Sequence, residues 1–364
     1  MHPAVRLALT LPVAALVSEP ALPRGPAGPT ADNFSVERVA EGVYAVVRRD
    51  PPGLMFEANA AFVVRDDHVI VVDGGSNPES ARAVLAALRR TTRKPVRWLV
   101  NTHWHGDHMM GNQVWADAYP GLEIVAHSTT REDFLGEGAT ARKQFAEGAE
   151  GYAKVLSQKV AKRESLMGGA MSDEERESHL TSVALVERAL AQVPASRATP
   201  PTLAFDDRLV MARGGRPVEV RWLGRAHTRG DVVVWLPEEK VVIAGDLVAG
   251  PVPLVGSTSF PLDYPETLDR LLALGATAIV PGHGAVLRDD AYPRLVARML
   301  RSLGDQTRAA VARGETLEEA RKHVDLSEFR AAIAGESPVR AMLFSQYVAQ
   351  PAVARAYWQA KGEK

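Results

Sequence analysis

From Phe34 onward the chain alternates between short apolar runs and amphipathic stretches, and two of the runs share one plan. In "AFVVRDDHVIVVDGG", apolar Phe62 to Val64 leads into a polar turn at Arg65 to His68, then apolar Val69 to Val72, closing on Asp73-Gly74-Gly75. Short β-branched runs around a charged turn predict a hairpin. "DVVVWLPEEKVVIAGD" repeats the plan, with its turn at Pro237 to Lys240, an apolar strand over Val241 to Ala244, and Gly245-Asp246 at the end. "VERVAEGVYAVVRR" predicts short strands broken at Gly42, and "VRWLVNT" and "TAIVPGHG" two further strands, the second ending at His283. Behind Pro78, the spacing of Ala81, Val84, Leu85 and Leu88 predicts a helix.

Between about Thr130 and Thr202 the strand signals vanish. Ser172 to Glu175 has the form of a capping box, and Leu180, Val183, Val186, Leu190 and Val193 form a helical stripe. "PASRATPPT" is a linker out of this helical insertion. The C-terminal third is helical too, over Tyr292 to Arg313 and Val339 to Lys361. Two related β-rich halves with helices outside predict an α/β chain built as an αββα sandwich. The polar residues that finish several strands then gather along one edge. The expected organisation is a main domain over 34–300, interrupted by the insertion at about 130–202, and a helical extension over 301–364.

Residues 1–33 differ from the rest. Arg6, an apolar run from Leu7 to Val17 and a Pro/Gly-rich stretch have the layout of a secretory signal peptide with a linker, which predicts a periplasmic or secreted protein. No run of 18 apolar residues predicts a transmembrane helix. Hydrophobic residues make up 46% of the 364, enough for a sizeable core. The net charge of -1 gives no pull toward nucleic acid or an anionic membrane, and the expected partner is a small molecule. Cysteine is absent, so disulfides and thiolate metal sites are excluded, and any metal is held by nitrogen and oxygen.

The histidines change the picture. "NTHWHGDHMMGN" concentrates His103, His105, Asp107 and His108 behind a strand. His103 and His105 alternate, so in extended chain they face one side, and Gly106 permits a sharp turn into Asp107 and His108. A packed core would not gather such groups, because each buried polar side chain needs a partner. His227 in "LGRAHTRGD", Asp246 in "IAGDL" and His283 in "VPGHG" sit at further strand ends or in the loops after them. Five imidazoles and two carboxylates exceed the four ligands of one tetrahedral ion and suit two ions with open positions.

"THWHGDH", "AHTRGD", "GDL" and "PGHG", in that order over about Val36 to Val286, resemble the motifs of the metallo-β-lactamase superfamily. That resemblance implies the αββα fold and a dinuclear zinc site, two Zn2+ per chain. It places His103, His105 and His227 on the first metal, Asp107, His108 and His283 on the second, and Asp246 between them. The true β-lactamases of the superfamily carry Cys or Ser at the Asp246 position, so the resemblance is to the hydrolase branches with a bridging Asp.

The implied function is a zinc hydrolase that attacks an ester-like, lactone, thioester, amide or phosphoester bond with metal-activated water. Zinc lowers the pKa of bound water to about 7. Asp107 is the expected catalytic residue, orienting the nucleophile and passing its proton to the leaving group. Asp73 is expected to hold a ligand histidine from behind. Three alternatives remain: a mononuclear iron persulfide dioxygenase-like oxidoreductase, β-lactamase activity (native or promiscuous), and a non-catalytic member. His127 is expected to be structural. His2, His68, His179 and His323 are expected at the surface or in caps, and Trp104, Met109 and Met110 in the core or pocket wall. "GPVPLVGSTSFP" is either a connecting loop or the substrate entrance.

Overall fold

Two sheets lie face to face. The computed structural model describes residues 31–362; the expected signal peptide, apart from the last residues of its linker, lies outside the described residues, as does His2. The first sheet holds β1 (Phe34–Ala40), β2 (Val43–Arg48), β3 (Ala60–Val64), β4 (Val69–Val72), β5 (Val96–Val100), β6 (Glu123–His127) and β7 (Leu203–Phe205) in sequence order. It is antiparallel up to β4 and parallel beyond it. The second holds β8 (Arg208–Met211), β9 (Val218–Trp222), β10 (Val232–Leu236), β11 (Val241–Ala249) and β12 (Ala278–His283), ordered β12-β11-β10-β9-β8. Only its β11–β12 pair is parallel.

The helices are α1 (Pro78–Thr91), α2 (Gly106–Met109), α3 (Asn112–Ala118), α4 (Ser128–Leu135), α5 (Glu137–Lys162), α6 (Asp173–Gln192), α7 (Tyr264–Leu272), α8 (Ala291–Ala312), α9 (Leu317–His323), α10 (Ser327–Ala334), α11 (Pro338–Phe344) and α12 (Gln350–Ala360). None among the described residues is long and apolar enough to cross a membrane.

Strand alternation builds three layers of core. Ala61, Val63, Ile70 and Val72 meet Val232, Val234, Val241 and Ile243 between the sheets. The alternate residues Phe62, Val69 and Val71 turn outward onto Ala81, Val84, Leu85 and Leu88 of α1. On the other side Val233, Trp235 and Val242 face α7, α8 and the C-terminal helices. This is the αββα sandwich that the alternation of strand and helix signals implied. Strand β4 is buried on both faces, which is why it reads as an unbroken "VIVV". Burying its four side chains is worth up to roughly 6–12 kcal/mol, which anchors the strand that delivers Asp73.

Parallel register sets the site edge. Val72 pairs with Val100, so Asp73 leaves β4 beside Asn101 and Thr102. Asn59 ties the two sheets there: its backbone N–H donates to Gly282 O at 2.7 Å and its amide to Pro281 O at 3.0 Å. Two glycines permit the close approach. A Cβ on Gly245, at φ 53, would stand 2.5 Å from Thr102 Oγ1, and one on Gly282 would stand 1.9 Å from Asp246 Oδ1.

Three expectations need correction. Strand β11 does not stop at Ala244 but runs nine residues to Ala249, so Asp246 lies inside it. The left-handed Gly245 and the register shift beside it let the strand continue while it turns Asp246 toward the site. In α6 the expected stripe does pack, with Val183, Val186 and Leu190 joining Ala149 and Ala153 of α5, but Val193 lies just past the helix and is exposed, and a second buried face carries Glu175, Ser178, His179 and Ser182. That polar face binds loops: Ser182 Oγ accepts from Leu54 N at 3.2 Å, and Glu175 accepts from Leu166 N at 3.0 Å rather than closing the capping box. His68 and His179 are buried, not at the surface, against Trp98 and Glu175 respectively.

Candidate metal centre

The short helix α2 explains the first motif. His105 is its extended N-cap, at φ -64 and ψ 149, and Gly106, Asp107 and His108 form its opening turn. His103 stands on the bend between β5 and α2, His227 in the loop between β9 and β10, Asp246 within β11, and His283 at the end of β12. All seven come together. His103, His105, His227 and Asp246 form one group of ligating atoms, and Asp107, His108, His283 and Asp246 a second.

Asp246 divides its oxygens between the groups. Oδ2 lies 3.5 Å from His227 Nε2 and 3.8 Å from His103 Nε2. Oδ1 lies 3.3 Å from His108 Nε2 and 3.4 Å from His283 Nε2. Asp107 Oδ2 completes the second group, 3.3 Å from His108 Nε2 and 3.2 Å from His283 Nε2. In the first, His227 Nε2 and His105 Nδ1 stand 2.9 Å apart.

The outer nitrogens show which ring atoms are free to bind. His227 Nδ1 donates to Leu254 O at 2.8 Å, His283 Nδ1 to Glu57 O at 3.2 Å, and His108 Nδ1 to Asp73 Oδ2 at 2.7 Å. Carbonyls and carboxylates only accept, so in the neutral ring each inward Nε2 keeps its lone pair. Thr102 Oγ1 donates to Asp73 Oδ2 at 2.9 Å and therefore accepts from His103 Nδ1 at 3.1 Å. Thr258 Oγ1 donates to His227 O at 3.2 Å and accepts from His105 Nε2 at 3.2 Å, which leaves His105 Nδ1 facing inward. Nε2 of His103, His108 and His283, and Oδ1 of Asp246, are buried without any hydrogen-bond partner. Such orphans are costly unless a cation takes their lone pairs.

The donor set fits zinc. Zn–N and Zn–O bonds of 2.0–2.2 Å give a tetrahedral edge of roughly 3.3–3.6 Å, and most of the spacings above fall in or near that range. The electrostatics agree. Burial, then neighbouring imidazoles, pushes His103 well below the usual histidine range; burial and His227 push His105 down to about 3. In the second group burial opposes charge, yet Asp107, Asp73 and Asp246 hold His108 well above that range. Against the same opposition, Asp246 and Asp107 lift His283 to about 9. Burial would raise the Asp107 and Asp246 carboxyls too, but the facing imidazoles hold both well below the carboxylate range. One half offers neutral lone pairs and the other is rich in carboxylate, and both draw positive charge.

Asp73 was expected behind one of the candidate ligand histidines, and it stands behind His108. His127 is structural as expected, stacked on Trp222 at 5.4 Å and bonded to Asp206 O at 2.9 Å. Met109 is fully buried, whereas Trp104 and Met110 border a cavity beside Asp107. The "GPVPLVGSTSFP" loop does reach the centre, through Leu254 O and Thr258. Phe56, Glu57 and Tyr347 were not singled out from the sequence. Phe56 packs edge-on to His283 at 4.5 Å, and Tyr347 packs on Phe56 at 5.7 Å. No local motif marks them, because they meet the site only through tertiary contact.

The chain belongs to the metallo-beta-lactamase superfamily, whose family model matches residues 55–283. It is 26% identical over 272 residues to a linear primary-alkylsulfatase from a Pseudomonas species, covering 71% of this chain and 48% of that protein. Over 82 residues it is 39% identical to a hydroxyacylglutathione hydrolase from Gloeobacter violaceus, 22% of this chain and 31% of that one. The chain thus spans about half or less of the length of these curated relatives. A metallo-beta-lactamase structure from Pontibacter korlensis covers 74% of this chain and 99% of its own, with 18% identity and a TM-score of 0.49.

Proposed function

We propose that the protein is a zinc-dependent hydrolase that holds two ions and cleaves an ester-type bond of a small molecule: an ester, lactone, thioester, amide or phosphoester. One observation carries this reading: a single buried carboxylate, Asp246, turns one oxygen to each of two complete ligand groups. His103, His105 and His227 would hold the first ion, Asp107, His108 and His283 the second, and Asp246 both. Bound zinc supplies Lewis acidity and a water of pKa near 7.

The residues of the chain do the rest. Asp73, Thr102, Thr258, Glu57 and Leu254 fix the imidazole tautomers from behind. Asp107 is the most exposed of the second group, with 23% of its side chain accessible, and it borders the cavity. From there it orients the attacking water and returns a proton to the leaving group. The bridging Asp246 favours the general hydrolases over β-lactamase as the native activity. A one-iron oxygenase with its ion in the first group would leave three preorganised ligands, Asp107, His108 and His283, without a role. The alkylsulfatase likeness covers most of this chain and adds sulfate esters to the candidate bonds.

The test is a turnover screen over carboxylic esters, lactones, thioesters, β-lactams, phosphodiesters and sulfate esters, with zinc-loaded and chelator-stripped protein. Hydrolysis of one class that disappears on stripping and returns with zinc is the expected result. Equal rates with and without metal, or none in any class, would refute the reading.

A further inference from the structure

Beside the centre lies a cavity of about 590 Å³, within the range of small-molecule sites. Trp104, Asp107 and Met110 border it at the metal end. Its other walls come from the insertion. Helix α5 turns Gly138, Ala141 and Phe145 to it, and α6 turns Leu185 and Ala189, each set at the three- and four-residue steps of one helix face. Small residues make the space. Even a Cβ at Gly138 would stand 3.3 Å from the Trp104 ring.

The third side is the segment Leu54–Met55–Phe56, fastened at its Leu54–Met55 end to α6 and to Tyr347. Ser182 Oγ of α6 accepts from Leu54 N at 3.2 Å and Met55 N at 3.4 Å, and Tyr347 donates to Leu54 O at 2.7 Å. Most polar groups nearby have partners already; Lys143 is exposed, with Glu147 at 3.8 Å. Asn77 accepts from Ser80 N at 3.0 Å, Glu57 is paired with Arg48, and Arg142 lies over the Phe134 ring while donating to Phe134 O at 3.1 Å. A polar ligand would enter with little to bond to, and its unpaired groups would count against it.

We infer that this cavity seats an aliphatic chain of the substrate, with the scissile group at Asp107 and the tail between α5 and α6, and that Leu185 and Ala189 set the longest chain accepted. The inference rests on the hydrolase reading, because it takes the metal end as the reacting end. The helical insertion is then the wall that measures the substrate.

Binding separates this from catalysis. The probes are n-alkyl sulfonates from four to twelve carbons, which carry no ester and report affinity alone, titrated calorimetrically into zinc-loaded protein below their micelle concentrations. Affinity should rise about fourfold for each methylene that leaves water, then level off when the cavity is full. Ala189→Trp should move the plateau to shorter chains, and Leu185→Ala to longer ones, both with unchanged metal content. Affinity independent of chain length, or one plateau shared by all three proteins, would overturn the inference. Metal content and turnover on the same samples report on the hydrolase reading separately: chain-length-dependent binding without zinc-dependent turnover would sink that reading and leave the cavity assignment standing.

Discussion

Asp73→Asn is the most telling change outside the ligands themselves. Asp73 accepts from Thr102 N at 2.8 Å, from Thr102 Oγ1 at 2.9 Å and from His108 Nδ1 at 2.7 Å. Its φ of 64 lies in the left-handed region that asparagine also tolerates, so the turn survives the change. The amide cannot keep all three bonds. With its NH2 toward His108, the imidazole proton must move to Nε2, the atom 3.3 Å from both Asp107 and Asp246. With its NH2 toward Thr102, two donors face each other. Loss of such an outer partner weakens metal binding about 10–100-fold, or about 1.4–2.7 kcal/mol.

The group that contains His108 should take most of that loss. His103 is reached only through Thr102 Oγ1, so the other group should lose less. Zinc titration of stripped wild type and variant against a chromogenic chelator measures both steps. One step weakened 10–100-fold and the other less is the expected result. Superimposable titrations would refute the claim that Asp73 sets the tautomer of His108.

Three further outcomes follow from the same geometry. Thr258→Val removes the acceptor for His105 Nε2–H, so it should weaken the first group by roughly tenfold and spare the second, with Thr258→Ser restoring it; the same titration checks this. Asp107→Asn should lower kcat about 100-fold or more in metal-loaded protein with little change in thermal stability, and near-normal turnover would remove Asp107 from proton transfer. Burial raises the Asp231 carboxyl to about 6 from 3.8, against its bonds from Thr228. The folded pKa lies above the unfolded one, so its contribution is fully present below about pH 4 and is lost as pH rises through 6. That amounts to roughly 3 kcal/mol. Stripped Asp231→Asn protein should therefore gain stability over wild type between pH 4 and 7 in urea titrations, and a constant difference across that range would contradict the buried-charge account.

Much of the fold was legible because it repeats simple periods. The unbroken "VIVV" and "VVVWL" runs are strands covered on both faces, and each charged turn marks a hairpin. The seven candidate ligands were legible because five imidazoles and two carboxylates recur at strand ends, a concentration of polar groups that ordinary packing does not call for. What escaped depends on contacts far apart in sequence. The continuation of β11 past Asp246 needs Gly245 beside Thr102, a tertiary contact. The polar buried face of α6 reads as a surface until the Leu54–Met55 backbone is known to need Ser182. Thr258 is one hydroxyl in a turn-rich loop, and only the folded chain brings it to His105.

The central claim is that two ions bind side by side and act together. The direct measurement is turnover, on the best substrate from the screen, recorded while zinc is titrated into stripped protein with bound metal counted by elemental analysis. The account predicts saturation at two zincs per chain, with most activity arriving alongside the second. Full activity at one ion per chain, or a single iron retained by protein purified without added metal, would contradict it.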